Sequence, residues 1–484
     1  MGNFYPNLYD PSQAATFDSL GNICSGPADP GCTAASPGLG TSPNKILAGV
    51  PLYLNGIGQP GKNGVPKGLV NDHWAMFGPR LGFAYDLTGS GTTIIRGGFG
   101  IMYERIQGND MYNAGPNIPF SLNVNLNNVT LQNPNILLST GAAPTFQTIK
   151  AADIIGLDKN SYKPSTSTQY SAGVQHSFGP KTVLSVSYVG NLNRHLNDYL
   201  NTNLPSLSDL ALMTGGTLNY QQAPSLPYKG FRAISQSRNE ANGHYNSMQI
   251  DLNSQAGRDL QLRAFYTLSK SIDPTTGGSG QDLNGVTNPY LGWRYDLGPS
   301  QFDRLHNFSA NFIYNIPVLR NSSNGLMKSL VGGWAVSGII TVESGLPVNF
   351  TGGSNIVGGN NSPGNRPNIN GSIKYEHSPV ASTDPFQHIQ YVDTSVFSTP
   401  AAGTWGNLTH NAIRGPGRDN WNLSLFKTFA FGEKAGLQLK LETFNTFNHT
   451  QFQTVDNGLG DSRFGQFTAA YPARIVQLAG KVYF

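Results

Sequence analysis

Hydrophobic side chains alternate with small or polar ones in segments of about ten residues along this chain of 484 residues. Residues 80–87 illustrate the pattern, because the odd positions from Leu81 to Leu87 are large and apolar and the even ones are small or charged. A period of two is typical of a β-strand with one apolar and one polar face. No stretch approaches the roughly 18 consecutive apolar residues of a membrane-spanning helix. The chain can therefore cross a membrane only with strands.

The composition agrees with strands that contact lipid. Charged residues make up 12% of the chain and aromatic residues 11%, and the formal net charge is +4. Disordered chains carry many charges and few aromatic residues, so this composition excludes a disordered chain. The positive charge is spread along the sequence, which predicts no nucleic-acid binding.

The alternation predicts eleven strands, most of them joined in pairs by short turns that contain Gly and other turn-forming residues. We place the strands at residues 80–87, 92–103, 169–178, 182–190, 245–254, 260–272, 307–316, 334–343, 420–429, 437–447 and 474–484. The predicted fold class is all-β, an antiparallel transmembrane β-barrel of which about eleven or twelve strands are present.

Short and long connections alternate between these strands. Long segments rich in Gly, Asn, Pro and Ser occupy residues 104–168, 191–244, 273–306, 344–419 and 448–473. Outer-membrane barrels combine tight periplasmic turns with long extracellular loops. If the last strand descends to the periplasm, every short turn lies inside and every long loop outside. Residues 1–78 are then an extracellular loop segment, and residues 79–484 form the C-terminal portion of a barrel in the cell outer membrane.

The predicted strand number is odd, whereas single-chain bacterial barrels have even numbers of strands. We interpret the eleven strands as part of a larger barrel whose first strands lie upstream. Residues 1–11 have neither the basic nor the apolar region of a signal peptide. An outer-membrane protein requires export, so either the outer-membrane interpretation is wrong or the true N-terminus lies upstream. The alternative is an unrecognised strand near residues 46–54, which would complete a self-contained twelve-stranded barrel.

Candidate chemical sites are few. Cys24 and Cys32 flank a short Ser/Gly/Pro-rich stretch, where a disulfide is favoured over free thiols. The nine His are dispersed, and none has Cys, Asp or Glu at metal-ligand spacing, so neither a metal site nor a cofactor is expected. No catalytic constellation is recognisable, and the chain is not expected to be an enzyme.

The charged and aromatic residues have structural interpretations. Five charged residues fall on the face that would line the lumen, as a water-solvated wall or, alternatively, as contacts for a substrate or plug: Arg80, Arg96, Arg263, Lys440 and Glu442. Aromatic residues near the strand ends fit the two girdles of a barrel, with Tyr103, Tyr188 and Trp421 at the outer ends and Phe178, Tyr314 and Trp334 at the inner ends. In the loops, the candidate contacts for a polar ligand are Trp293, Tyr295 and Trp405.

The last strand carries apolar residues at alternate positions and ends on an aromatic residue. Val476, Leu478 and Val482 precede the terminal Phe484, and Gly480 interrupts the series. The segment resembles the C-terminal assembly signal of bacterial outer-membrane proteins. This resemblance implies that the barrel-assembly machinery recognises the strand.

Further segments resemble the barrel of TonB-dependent receptors, in particular the Oar-like group that contains a carboxypeptidase regulatory domain. They are FGPRLGFAY at 77–85, RGGFG at 96–100, DRLHNF at 303–308, GW at 333–334, SGLP at 344–347, IRGPG at 413–417 and ETFNTFN at 442–448. The resemblance covers roughly residues 74–484. It implies a 22-stranded barrel, an N-terminal plug and a short box that engages the TonB energy complex. Neither plug nor box is recognisable here, so the chain would be about half of such a barrel.

The leading hypothesis is therefore the C-terminal barrel part of a TonB-dependent outer-membrane transporter. Its cargo would be a bulky nutrient such as a glycan, a peptide or a metal chelate. It would be surrounded by outer-membrane lipid and would work with the TonB energy complex through the missing N-terminal part. The alternatives are a self-contained outer-membrane porin and a secreted all-β surface or lectin-like protein.

Overall fold

Eleven long strands dominate the structure, as the alternation predicts. The computed structural model describes residues 2–19, 24, 26–36, 55–104, 108, 112, 114, 115, 117, 151–275, 285–318, 323–352, 365–381, 388–432 and 435–484. The long strands are β1 (Arg80–Asp86), β2 (Thr93–Tyr103), β3 (Thr166–Ser177), β4 (Thr182–Asn201), β5 (Phe231–Ala256), β6 (Leu260–Asp273), β7 (His306–Asn315), β8 (Trp334–Glu343), β9 (Arg418–Phe431), β10 (Ala435–Phe444) and β11 (Ile475–Tyr483). The alternative strand near residues 46–54 lies outside the described residues.

The eleven strands form one sheet in which each strand pairs with its neighbours in the chain. Every pairing among them is antiparallel. An up-and-down order of this kind is the architecture of a barrel wall. The predicted all-β antiparallel fold is therefore confirmed.

The register gives the sheet one apolar face and one polar face, because directly opposed residues point to the same side. One row across seven strands consists of Tyr85, Ile95, Val174, Val186, Ile250, Tyr266 and Phe308. The next row, on the opposite face, consists of Ala84, Arg96, Gly173, Ser187, Gln249, Thr267 and Asn307. We refer to these two sides as the apolar face and the polar face.

Short and long connections lie at opposite ends of the sheet, which we name the turn end and the loop end. Successive strands are antiparallel, so connections must alternate between the two ends. At the turn end, β1 joins β2 through residues 87–92 and β3 joins β4 through residues 178–181. The β7–β8 connection, also at the turn end, contains a short helix at Gly325–Leu330. The predicted alternation of connection lengths is confirmed.

The sheet is open within the described residues. β1 and β11 are its edges, and neither pairs with a further long strand there. Both edge strands run from the loop end to the turn end. Their apolar side chains are strongly exposed, with Leu81 at 72% and Leu478 at 80%.

The described residues before β1 and in the long connections pack into a layer that we name the loop cap. One hydrophobic core of this cap surrounds Phe350, Val392 and Ile413, and another surrounds Phe4 and Ile234. Among the described residues, no helix is long and apolar enough to cross a membrane. The short cap elements are strands Asn3–Phe4, Ile57–Gly58, Ala152–Leu157, Gly298–Pro299, Pro347–Val348, Asn368–Ile369, Tyr375–Val380, His388–Val392, Phe397–Ser398, Ile413–Arg414, Phe452–Val455 and Phe467–Ala470, the α-helix Leu207–Thr214, and 3-10 helices Pro6–Leu8, Pro11–Gln13, Tyr220–Gln222 and Gly292–Asp296.

The strand Ala152–Leu157 departs from the antiparallel pattern. It pairs in parallel with the beginning of β5, inside a segment predicted to be loop. Ile154 and Leu157 are 0% and 1% exposed, and a strand buried in this way lacks the alternation that identifies a half-exposed one. Asn3 joins the N-terminal residues to this strand, because its side chain donates to Leu157 O at 2.7 Å and accepts from Leu157 N at 2.9 Å.

Candidate functional site

All five residues predicted to line the lumen lie on the polar face. Arg80 and Arg96 belong to β1 and β2, Arg263 to β6, and Lys440 and Glu442 to β10. Their opposed partners in the register are mostly small or polar, for example Gly100 beside Arg80. The sequence pattern thus assigned these residues to one side of the sheet, and their lining function stays a prediction.

A groove of about 670 Å³ lies on the polar face between β5 and β10. Its polar lining includes Asn253, Gln261, Arg263, Asn311, Asn422, Lys440 and Glu442. Amide and charged groups of this kind can hydrogen-bond a polar ligand. Arg96 lies apart from the groove, beside a smaller hollow bordered by Gly98, Gly173 and Ser187.

Some charged residues of the polar face form ion pairs and others do not. Arg263 Nη2 lies 3.3 Å from Asp251 Oδ2, and Lys440 Nζ lies 2.6 Å from Glu442 Oε1. Ion pairs of the described residues do not include Arg80 or Arg96. Arg80 and Arg96 on the β1–β2 side of the polar face therefore have no ion-pair partner among the described residues, whereas the charges in the groove are paired.

Arg366 and Asp296 form an ion pair inside the loop cap. Arg366 Nη1 lies 2.6 Å from Asp296 Oδ1, and both side chains are 1% exposed. Arg366 Nε donates to Leu408 O at 2.9 Å, and Nη2 donates to Tyr295 O at 2.8 Å. Asp296 Oδ2 also accepts from Thr287 N at 2.7 Å. The pair joins the long connection before β7 to the one before β9, and its hydrogen bonds compensate the burial of both charges.

A second ion pair joins the cap to the wall. Arg414 Nη2 lies 2.5 Å from Asp303 Oδ2, whose side chain is completely buried. Asp303 Oδ1 accepts from the backbone N–H of Ser271, in β6, at 2.6 Å. Arg414 Nη1 also donates to Gly345 O at 3.2 Å. The segments DRLHNF, SGLP and IRGPG, which are far apart in the sequence, therefore meet at one junction.

Two positions of this junction require glycine because two backbone segments approach each other closely there. A Cβ on Gly345 would lie 1.9 Å from Gly415 O, and a Cβ on Gly415 would lie 2.8 Å from Leu346 O. The short strands Pro347–Val348 and Ile413–Arg414 pair directly beside this contact. Only a residue without a side chain allows the two backbones to come so close.

The aromatic residues predicted to contact a ligand lie in the cap. The Arg366 guanidinium stacks on the Tyr295 ring, with Cζ 3.9 Å from the ring centroid. The Tyr295 hydroxyl donates to Gly406 O. Trp405 Nε1 donates to Thr287 O at 2.8 Å. Trp293 is half-buried. Cζ of Arg294 lies over the Trp293 ring, 4.9 Å from the ring centroid. Tyr295 and Trp405 thus have partners within the cap, and ligand contact by all three stays a prediction.

His410 lies buried in the cap near Arg366, with 2% of its surface exposed. Burial, and then the positive charge of Arg366, lowers the pKa of its imidazole below the ordinary value of 6.5. The ring is therefore neutral at neutral pH and adds no second charge beside Arg366.

The remaining predicted residues are placed as follows. Cys24 and Cys32 are joined by the predicted disulfide, with Cα atoms 5.9 Å apart. The assembly-signal residues Val476, Leu478 and Val482 lie on the apolar face of β11, and Phe484 follows it at the exposed chain end. Within the part of the chain that the structure describes, no three His, Cys, Asp or Glu residues are grouped as metal ligands would be.

The sequence matches a family model over nearly its whole length. The model describes an outer membrane β-barrel domain and matches residues 1–477. A search of curated proteins finds no match to this chain.

Solved structures of outer-membrane transporters are similar in part. The outer membrane transporter YddB from Escherichia coli has 11% identity and a TM-score of 0.41, with 84% of this chain and 40% of that chain covered. The ferric preacinetobactin receptor BauA from Acinetobacter baumannii has 8% identity and a TM-score of 0.39, with 84% and 36% covered. The ferripyoverdine receptor of Pseudomonas aeruginosa has 11% identity and a TM-score of 0.36, with 84% and 32% covered. This chain therefore spans two fifths or less of those chains.

Proposed function

Because this chain belongs to the outer membrane β-barrel domain family, we propose that it is the C-terminal wall of a TonB-dependent transporter. Its cargo is a bulky polar nutrient, namely a glycan, a peptide or a metal chelate. The barrel-assembly machinery inserts it into the outer membrane, and the TonB energy complex acts through an N-terminal part that is outside this sequence.

The observation that carries the proposal is the direction of the two open edges. β1 and β11 run the same way, so pairing them with each other would create a parallel seam. An odd number of further strands would close the barrel with antiparallel pairs and an even total, as in bacterial single-chain barrels. Unpaired strand edges are very costly in lipid, so closure of some kind is required.

The two faces of the sheet support the same proposal. The apolar face suits contact with lipid, and the polar face, with its groove at Arg263, Lys440 and Glu442, suits a hydrated lumen. The loop cap covers one end of this wall, where an extracellular ligand would arrive first. Folded loops on a rigid scaffold are the usual location of binding residues.

The test is uptake by cells that produce the full-length protein. Labelled oligosaccharides, oligopeptides and metal chelates are offered to these cells, to cells lacking the gene, and to cells lacking TonB. We expect one class to enter only when both the protein and TonB are present. Uptake that persists without TonB would contradict the proposal.

The porin alternative predicts a different result in the same cells. A self-contained channel would admit small solutes without TonB and would conduct in a planar bilayer after refolding of the chain alone. Closure of the eleven described strands on themselves would need the parallel seam between β1 and β11. Defined single-channel conductance of the chain alone would therefore favour the porin.

A further inference from the structure

We propose that a band of four basic side chains on the apolar face binds the phosphate groups of an outer-leaflet lipid. The band consists of Arg194 in β4, His244 in β5, Lys270 in β6 and His306 in β7. The inference goes beyond the proposed transport, and it rests on the proposed orientation in which the loop end faces outward.

The register places the band diagonally across four neighbouring strands. The opposed pairs are Arg194 with Asn242, His244 with Leu192 and Ile272, Lys270 with Asn246, and His306 with Leu268. Each basic residue is thus two residues nearer the turn end than the preceding one. Barrel strands are tilted by about 35–45°, so a line around the barrel at constant depth crosses them diagonally.

The sheet is staggered in the same direction as the band. Lys427 of β9 pairs with Trp334, the first residue of β8, and β9 then continues to Phe431 at the turn end. Later strands therefore reach further in that direction than earlier ones. From β4 to β7 the turn-end limits of the strands shift by three residues, which offsets half of the six-residue shift of the band along the register.

The band lies on the loop-end side of aromatic side chains on the apolar face. On β4, Tyr188 lies six residues nearer the turn end than Arg194, and on β6 Tyr266 lies four residues nearer the turn end than Lys270. Aromatic rings of outer-membrane barrels mark the boundary between acyl chains and headgroups. The four basic side chains consequently reach the level of the lipid phosphates.

The basic side chains of the band are available for a ligand. All four residues are exposed, and none forms an ion pair with a carboxylate of the described residues. His306 Nδ1 lies 2.8 Å from the Tyr266 hydroxyl, which leaves Nε2 for another partner. Arg and Lys form short, charge-assisted hydrogen bonds with phosphate oxygens.

Exposed apolar residues beside the band favour a lipid over a free anion. Phe302, four residues before His306, is 69% exposed. Leu192 and Ile272 lie on either side of His244 in the same register row and belong to the apolar face. A lipid can pack its acyl chains on this face while its phosphate contacts the cations.

The test measures lipid A binding to the purified full-length protein in detergent by native mass spectrometry. The variant R194Q/K270Q removes the two permanent charges of the band. The control K181Q/R258Q removes two exposed charges at the turn end. We expect roughly 30-fold weaker binding for the first variant and no change for the control, since each basic residue at an anionic lipid surface contributes about fivefold.

Three results would overturn the proposal. One is equal lipid A binding by R194Q/K270Q and the unaltered protein, when heat-dependent gel migration shows both to be folded. Another is equal binding of dephosphorylated lipid A, which would assign binding to the acyl chains alone. The third is displacement of lipid A by an equal concentration of inorganic phosphate, which would indicate a free-anion site.

Discussion

Arg366 is the largest of the side chains with less than 2% exposure in the described part of the chain, and one carboxylate balances its charge. Charged residues are seldom buried so completely unless they are paired and hydrogen-bonded. Here the partner is 70 residues away in the sequence. The pair therefore acts as a specific link between two loops, and the cap depends on both members.

Replacing Arg366 by Met tests this link. Asp296 would be left buried without a counter-charge, which costs about 3–5 kcal/mol of local stability. We expect limited proteolysis of the full-length protein to cut within residues 344–417 at least tenfold faster. The matched control is Arg263→Met, which removes an exposed ion pair worth about 0–1 kcal/mol. Equal cleavage rates for the two variants would contradict the structural role of Arg366.

At the residue scale, the sequence predicts those features that depend on the spacing of residues close together in the chain. The disulfide joins cysteines eight positions apart, and the five charged residues of the polar face follow from the period of two. Asp296, Arg366, Asp303 and Arg414 were missed, because no pattern in the sequence relates residues 70 or 111 positions apart. The segments DRLHNF and IRGPG were recognisable by their resemblance to the barrel of TonB-dependent receptors, but only the fold shows that they meet.

At the element scale, the strands were predictable where one of their faces is apolar. The predicted and observed bounds of β8 coincide at Trp334–Glu343. β4 and β5 continue well beyond the predicted ends at residues 190 and 245, to Asn201 and back to Phe231. These extensions enter the cap, where polar and apolar residues no longer alternate, so the pattern disappears although the strand continues.

Glycine inside a strand is also an element-scale feature. Gly338 of β8 lies under the side chains of Phe312 and Leu423 on the two adjacent strands, and a Cβ there would be 2.6 Å from each. Gly338→Val should therefore destabilise the β7–β9 region by about 1–3 kcal/mol through overpacking. Urea unfolding in detergent measures the effect.

The matched control for this prediction is Gly82→Val in β1. A Cβ on Gly82 has its nearest neighbour, Gly97 O, at 3.7 Å, so the added side chain has space. We expect the unfolding midpoint of this variant to stay within error of the unaltered protein. A larger loss for Gly82→Val than for Gly338→Val would refute the packing explanation.

At the scale of the whole molecule, the open sheet predicts which strands are not neighbours. If the barrel is completed by further strands, β1 and β11 stay apart. Cysteines introduced at Phe83 and Leu478 should then remain unlinked under oxidation in the full-length protein. Cysteines at Leu81 and Phe99, which the register places opposite each other, should cross-link and provide the positive control.

Either of two cross-links between Phe83→Cys and Leu478→Cys would overturn closure by further strands. A link within one chain would mean that the described strands close on themselves. A link between two chains would mean that a second copy completes the barrel. Gel electrophoresis without reducing agent distinguishes the two products by mass.

The length of β5 has a mechanical consequence. This strand has 26 residues, whereas a tilted transmembrane strand needs about 9–11. It therefore passes from the membrane into the cap as one strand, and β4 pairs with it as far as Asn201, with register shifts between Arg194 and Leu196 and between Leu196 and Asp198. Such a paired ribbon resists bending much more than a flexible linker does. A force applied to the cap is consequently transmitted to the wall through β4 and β5.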